Sequence, residues 1–281
     1  MTIAVGTGEG APGARIADDS VPRRLSGIRL FLWRAAVAAA VLVPWQWMSG
    51  RVLDARFVSS PTAVAARLAE WLSTGFIWPH LWATTSEALI GYGVGVSLGL
   101  IAGFVLGIFR VLSRAVSPLL TGLYAIPKVT LAPLFVLYFG IYAPSKIALA
   151  AVVVFFLMFY STFNGVRDVD SELIESVRIL GARTLGVLSL VIIPATADWI
   201  ITGMTIALPY AFIGAVAGEI IVSAKGLGYI IATSANTLDA AGVFAALTVL
   251  MILTAACNEV IIRLRSRARQ WRAVSRHVES M

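Results

Sequence analysis

Few side chains in this 281-residue sequence could do chemistry in the apolar setting that surrounds them. Glu87, Lys128, Asp198 and Glu219 fall within or at the ends of long apolar runs. An ionisable group at membrane depth is expensive to keep and is a functional candidate by default. Lys128 lies between Pro127 and Pro133, where the backbone must kink or open and the ammonium needs polar surroundings. Pro127, Lys128, Pro133 and Glu219 are therefore expected to line a translocation pathway, whereas Glu87 and Asp198 sit near run ends, where they can reach water. Cys257 is the only cysteine, which excludes a disulfide framework and a cysteine metal cluster. His80 and His277 stand alone, in an expected loop and a basic tail, and read as solvated residues rather than ligands. There is no Ser/His/Asp, Cys/His or metal-ligand constellation at a supporting spacing, and no G-x-x-x-x-G-K-[ST] phosphate loop. The chain is expected to be non-catalytic, with no cofactor or nucleotide of its own.

The elements that must position these groups follow from composition. Hydrophobic residues make up 59% and charged residues 13%, where a soluble domain carries about 25% charged. Apolar runs near 30–48, 84–108, 118–139, 146–165, 196–217 and 242–262 are each long enough to span a bilayer. The expected fold is all-α, a polytopic membrane protein with six transmembrane helices over 26–265. With the N-terminus inside, sixteen basic residues fall on the inner side against five outside, Arg51, Arg56, Arg67, Lys146 and Lys225. Both termini are then cytoplasmic. The net charge of +7 reflects this topology rather than nucleic-acid binding, because the basic residues sit at helix ends. Residues 1–25 read as a disordered cytoplasmic tail and 266–281 as a basic one.

Three further patterns carry structural information. Ser60-Pro61 has the chemistry of an N-cap followed by a first-turn proline, and Val64, Leu68, Trp71 and Leu72 follow at helical spacing. This predicts an interfacial helix, with Trp71, Trp78 and Trp82 anchored at the outer surface. Gly91, Gly95, Gly99, Gly103 and Gly107 recur once per turn and strip one helix face to backbone, which favours close helix packing. The inner segment Val169–Ala182 reads as a short amphipathic helix. Asp170 or Ser171 caps it, Glu172 and Glu175 complement its N-terminal dipole, and Gly181 ends it in the left-handed conformation. Leu173, Val177 and Leu180 are expected on one face, which a partner protein would cover; the alternative is a helix lying flat on the membrane surface.

Glu175-Ser176-Val177, then Gly181, then Val191-Ile192-Ile193-Pro194 resemble the loop E-A-A, three residues, G, nine residues, I-x-L-P of binding-protein-dependent ABC importer permeases. Ser176, Val177, Val191 and Ile193 depart from that pattern, while its Glu, Gly and Pro frame is kept. Ser59-Ser60-Pro61, Ile126-Pro127-Lys128, Ala132-Pro133-Leu134, Phe139-Gly140, Gly165-Val166-Arg167, Val169-Asp170 and Gly226-Leu227-Gly228-Tyr229 look like the nitrate/sulfonate/taurine branch. The resemblance covers roughly residues 55–265. It implies a type I importer permease fold in the bacterial cytoplasmic membrane, embedded in lipid and paired with a second copy of itself. It also implies two copies of a cytoplasmic ABC ATPase that bind ATP and Mg, an extracytoplasmic solute-binding protein, and a small anionic solute. The coupling residues it points to are Glu172, Leu173, Glu175, Val177, Leu180, Gly181, Ala182 and Pro194, within and just beyond a helix at about 171–182. A secondary transporter or channel is the competing reading. Against it, paired broken helices in two repeated halves are not evident.

Overall fold

The computed structural model describes residues 27–278, with side chains for residues 28–263. The expected tail over 1–25, the His277 side chain and the side chains of the basic stretch 266–281 lie outside what is described. The helices in chain order are α1 (Gly27–Met48), α2 (Ala55–Val58), α3 (Pro61–Ser73), α4 (Ile77–Ile108), α5 (Arg110–Ala125), α6 (Ala132–Phe139), α7 (Ala143–Arg167), α8 (Ser171–Ile179), α9 (Thr184–Val187), α10 (Ile193–Ile221), α11 (Leu227–Asn236) and α12 (Ala240–Val278). No strand occurs among the described residues. Residues up to Trp47 and from Met48 onward form separate compact units. The first contains α1, an apolar helix long enough to cross a membrane, and everything below concerns the second.

Within the second unit, Ile77–Ile108, Ala143–Arg167, Thr184–Ile221 and Ala240–Arg263 are each long and apolar enough to span. The run expected at 118–139 is different. It starts at Arg110 and breaks between α5 and the 3-10 turn Lys128–Leu131, with a bend of 89°. Pro127 has no N–H to continue α5, and its ring pushes Ile126 into the extended region, φ −67° and ψ 130°. Proline acts differently at the start of α10: Pro194 sits in its first turn, directly after a π-helical turn at Leu188–Ile192 that widens the backbone where the missing N–H would leave a gap.

α7 lies between α4 and α10, and glycines set both contacts. A Cβ added at Gly95 would lie 2.5 Å from the Ala151 carbonyl oxygen, and one at Gly99 or Gly103 would lie 2.6 Å from Met158 Cβ or Thr162 Cβ. Gly91 meets Ala150 and Gly107 meets Val166 in the same way. The ladder therefore packs, as the spacing predicts, and its partner is α7. On the other side of α7, Gly203 abuts Ser161 and Gly214 abuts Ala150. Val96, Val154, Met158, Leu208 and Phe212 fill the buried centre, while Tyr92 donates to Met204 O (3.0 Å) and Ser161 to Trp199 O (2.7 Å).

α3 forms as expected, with Ser60 Oγ accepting from Ala63 N–H (3.2 Å). Two surface assignments are corrected. Trp71 is buried against Phe76, at 5.7 Å between ring centroids, so that of the three expected anchors only Trp78 and Trp82 are exposed. His80 lies in the first turn of α4, not in a loop, because the helix starts at Ile77 and tolerates Pro79 where no intrahelical donor is needed.

Gly95→Ala is expected to destabilise the protein by about 1–3 kcal/mol, through overpacking against backbone that cannot yield. Gly93→Ala, whose Cβ would meet nothing within 4 Å, is expected to leave stability unchanged or raise it by about 0.5–1 kcal/mol. Thermal unfolding of the two variants in one detergent distinguishes them.

Candidate functional site

Three groups of residues carry the candidate chemistry. The first is the α8 segment. Asp170 caps it, its Oδ1 accepting from Glu172 N–H (2.9 Å). At the other end Gly181 N–H donates to Arg178 O (2.9 Å) and Ala182 N–H to Val177 O (3.1 Å), the paired bonds of a Schellman cap. Gly181 has φ +88°, and a Cβ there would meet nothing within 4 Å. The glycine is thus needed for a left-handed backbone rather than for room. The apolar side chains do not form the single stripe expected. Ile174 and Val177 are half-buried, while Leu173, Ile179 and Leu180 face outward, the last two 85% and 86% exposed. Leu180 lies in the cap beyond the helix, and Glu172 and Glu175 are exposed. Ile179 was not singled out in the sequence because helical phase alone does not say which side of α8 meets the bundle.

The second group surrounds the break after α5. Lys128 donates to the Tyr124 carbonyl, one turn back, and its ammonium sits 4.1 Å from the Tyr124 ring centroid and 5.1 Å from that of Phe156. Cation–π attraction offsets part of the cost of holding this charge on an apolar helix. Thr130 Oγ1 donates to Pro127 O (2.6 Å), which closes the 3-10 turn. Pro127 and Pro133 are exposed, and α6 ends at Gly140 with φ +77°.

The third group lies at the other end of the bundle from α8 and is closed by long-range contacts. Glu219, 1% exposed, accepts from Thr84 Oγ1 on Oε1 and from Gly228 N–H on Oε2, both at 2.7 Å. Thr84 Oγ1 in turn accepts from Leu227 N–H (2.8 Å), and His80 Nδ1 accepts from Gly226 N–H (3.1 Å). The His80 ring stacks on Tyr229, with centroids 5.9 Å apart. Gly226, with φ +118°, has its α-carbon so close to the Glu219 carboxylate that a Cβ would lie 2.2 Å from Cδ. Both oxygens of Glu219 are committed to protein donors, so in this conformation it anchors the 226–229 segment and offers no face to a solute. Beside it, Lys146 Nζ contacts Glu87 Oε1 (3.3 Å) and Ser223 Oγ (3.0 Å). The two charged side chains are only 7% and 6% exposed. This corrects the expectation that Glu87 reaches water, and Lys146, counted among the outer basic residues, is buried with it: the packing of α4 on α7 turns the two side chains toward each other. A cavity of about 480 Å³ adjoins the pair, lined by Ala83, Glu87, Tyr142, Lys146, Ser223 and Lys225 among others. Asp198 is exposed, and no cluster of His, Cys, Asp and Glu that could hold a metal occurs among the described residues.

Residues 95–269 match the family described as binding-protein-dependent transport system inner membrane component. The chain belongs to that family. Its relatives include a protein named as an aliphatic sulfonates transport permease, SsuC of Bacillus subtilis, 29% identical over 89% of this chain and 92% of that one. The riboflavin transport system permease RibX of Chloroflexus aurantiacus is 32% identical over 83% and 89%. The formylaminopyrimidine transport permease ThiX of Halalkalibacterium halodurans is 30% identical over 83% and 92%. Among solved structures, an inward-facing MetNI methionine ABC transporter aligns with a TM-score of 0.59 and 22% identity, over 66% of this chain and 92% of that one. The protein is thus a multi-pass, non-catalytic permease subunit of an ABC importer with the type I fold. The secondary-transporter reading is set aside.

For this permease the Lys146–Glu87 pair is a buried charged contact between α4 and α7. Glu87→Ala strands a buried ammonium and is expected to destabilise the fold by about 3–5 kcal/mol, while Glu87→Leu combined with Lys146→Met is expected to recover most of that loss. Detergent melting curves of the single and double variants measure the difference.

Proposed function

We propose that this permease carries a small anionic solute of the sulfonate or nitrate class, that it works as a pair of identical subunits, and that α8 with its Gly181 turn is the part seated on the ATPase. In this reading one ATPase copy serves each permease copy and binds the ATP and Mg²⁺, while a solute-binding protein delivers solute at the opposite face. The observation that carries the docking role is the exposed apolar end of α8. Leu173, Ile179 and Leu180 stand outward on a helix capped at both ends, and a capped helix with uncovered apolar side chains suits insertion into a groove. Closure of the ATPase subunits around nucleotide then moves α8, and through it the bundle. Glu172 and Glu175 lie on its exposed side and are suited to polar contacts with the partner.

Support for an anionic solute comes from Lys128, a cation on the broken span whose neighbours are aromatic faces rather than a carboxylate. Relatives named for sulfonates point the same way, whereas those named for riboflavin and formylaminopyrimidine show that the scaffold serves other solutes. In the reconstituted complex, ATP hydrolysis is expected to rise with loaded binding protein. Gly181→Asp should fold and insert yet fail to retain the ATPase, and normal co-purification with normal uptake by that variant refutes the docking role. Lys128→Gln should lower uptake of an anionic solute about tenfold or more, the loss expected from removing one charged contact, with Lys128→Arg closer to wild type. Equal uptake by all three forms counts against the anion assignment.

A further inference from the structure

Arg167 is the last residue of α7, and only Asp168, Val169 and Asp170 separate it from α8. That connection is short and pinned, since Asp168 N–H still donates to Asn164 O (2.9 Å) and Asp170 caps α8. A basic residue in a last turn complements the helix dipole and needs no further partner for that. Arg167 does more. Its Nη2 donates to Ser113 Oγ (2.9 Å), a buried hydroxyl in the first turn of α5, and its guanidinium lies over the Phe163 ring at 4.8 Å. The stacked ring restricts the long side chain to the arrangement that reaches across to α5.

α5 is the helix that leads into the Pro127 break, and α7 grips it near both ends. At one end stands Arg167 on Ser113. At the other, Tyr124 packs edge-on against Tyr160 (4.9 Å) and lies 5.9 Å from Phe156, next to Lys128. Along α7, Phe155, Phe159 and Phe163 stack on one another at 6.1 and 5.5 Å, and the last of them carries the Arg167 guanidinium. Ile126, the cap of α5, follows Ser113 by thirteen positions, about 20 Å of helix at 1.5 Å per residue.

We propose that Arg167 is a positioning residue that ties the docking helix α8 to α5, so that displacement of α8 is delivered to the broken span carrying Lys128. The inference rests on the docking role of α8. α8 itself holds no side-chain bond to α5, and the Arg167–Ser113 bond is the polar link from the α7–α8 corner to it. Loss of this link leaves α8 seated on its partner and free to move, with its polar tie to the start of α5 gone and only the aromatic grip near Lys128 remaining.

The test uses the full complex in liposomes, comparing wild type with Arg167→Ala, Ser113→Ala and Arg167→Lys. The measurements are ATPase co-purification, stimulated ATP hydrolysis and solute uptake. Arg167→Ala and Ser113→Ala are expected to keep the ATPase and hydrolyse ATP within about twofold of wild type, while uptake falls about tenfold or more, the worth of one charge-assisted hydrogen bond. Arg167→Lys, which keeps one donor but loses the planar fork, is expected to fall between them. The ratio of ATP consumed to solute moved therefore rises, a change that general loss of folded protein does not produce. Hydrolysis and uptake falling in proportion, neither changing, or loss of ATPase association each overturn the proposal. If instead the docking role of α8 is wrong, Gly181→Asp retains its ATPase, an outcome independent of Arg167.

Discussion

The approach of α4 to α7 leaves no space for a side chain on one of the two helices. At Gly91, Gly95, Gly99, Gly103 and Gly107 an added Cβ would fall within 2.7 Å of α7, repeatedly at its backbone oxygens or Cβ atoms. Lipid tails are as apolar as the side chains they would replace, so two such helices gain little by hiding hydrophobic surface from each other. They gain by close packing over a long length. Because every fourth residue must be glycine, the contact has one register, and that register dictates what meets at each end. Glu87 stands one turn before Gly91, and Lys146 one turn before Ala150, so the buried ion pair continues the ladder. At the other end Gly107 meets Val166, beside Arg167.

The two ends are built on different physics. At the Lys146 end, His80 and Thr84 of α4 and Glu219 of α10 accept from the backbone N–H groups of Gly226, Leu227 and Gly228, which would be costly to bury unpaired, while Lys146 of α7 donates to the Ser223 hydroxyl. Glu219 can serve there because α10, turning past α7 at Gly214 and Gly218, brings it against Thr84. At the α8 end the polar links are few and the apolar side chains are left outward. One end is self-contained; the other leaves Leu173, Ile179 and Leu180 uncovered.

Between the ends, the Pro127 break bends the span by 89°. Lys128 has no carboxylate on it there, and the aromatic faces of Tyr124 and Phe156 stabilise the charge without neutralising it. Lys146 differs, since its charge is matched by Glu87.

Features fixed within a few residues of one another were legible in the sequence. The apolar runs, the proline break, the glycine spacing, the Asp170 cap and the Gly181 turn each depend on local backbone geometry, and the structure shows each of them. What the sequence could not supply was any pairing across helices. Glu87 with Lys146, Glu219 with Thr84, and His80 with Gly226 are separated by 59, 135 and 146 positions. Each exists only because the α4–α7 and α7–α10 registers bring those residues level. For the same reason the sequence placed His80 in a loop, Glu87 within reach of water and Trp71 at the surface: hydropathy marks where a chain can enter lipid, not which side chains a neighbouring helix covers. On α8 the residues and their spacing were determined by the sequence alone, whereas the outward turn of Ile179 and the inward turn of Val177 were decided by where the bundle lies, a direction that a helix in isolation does not possess.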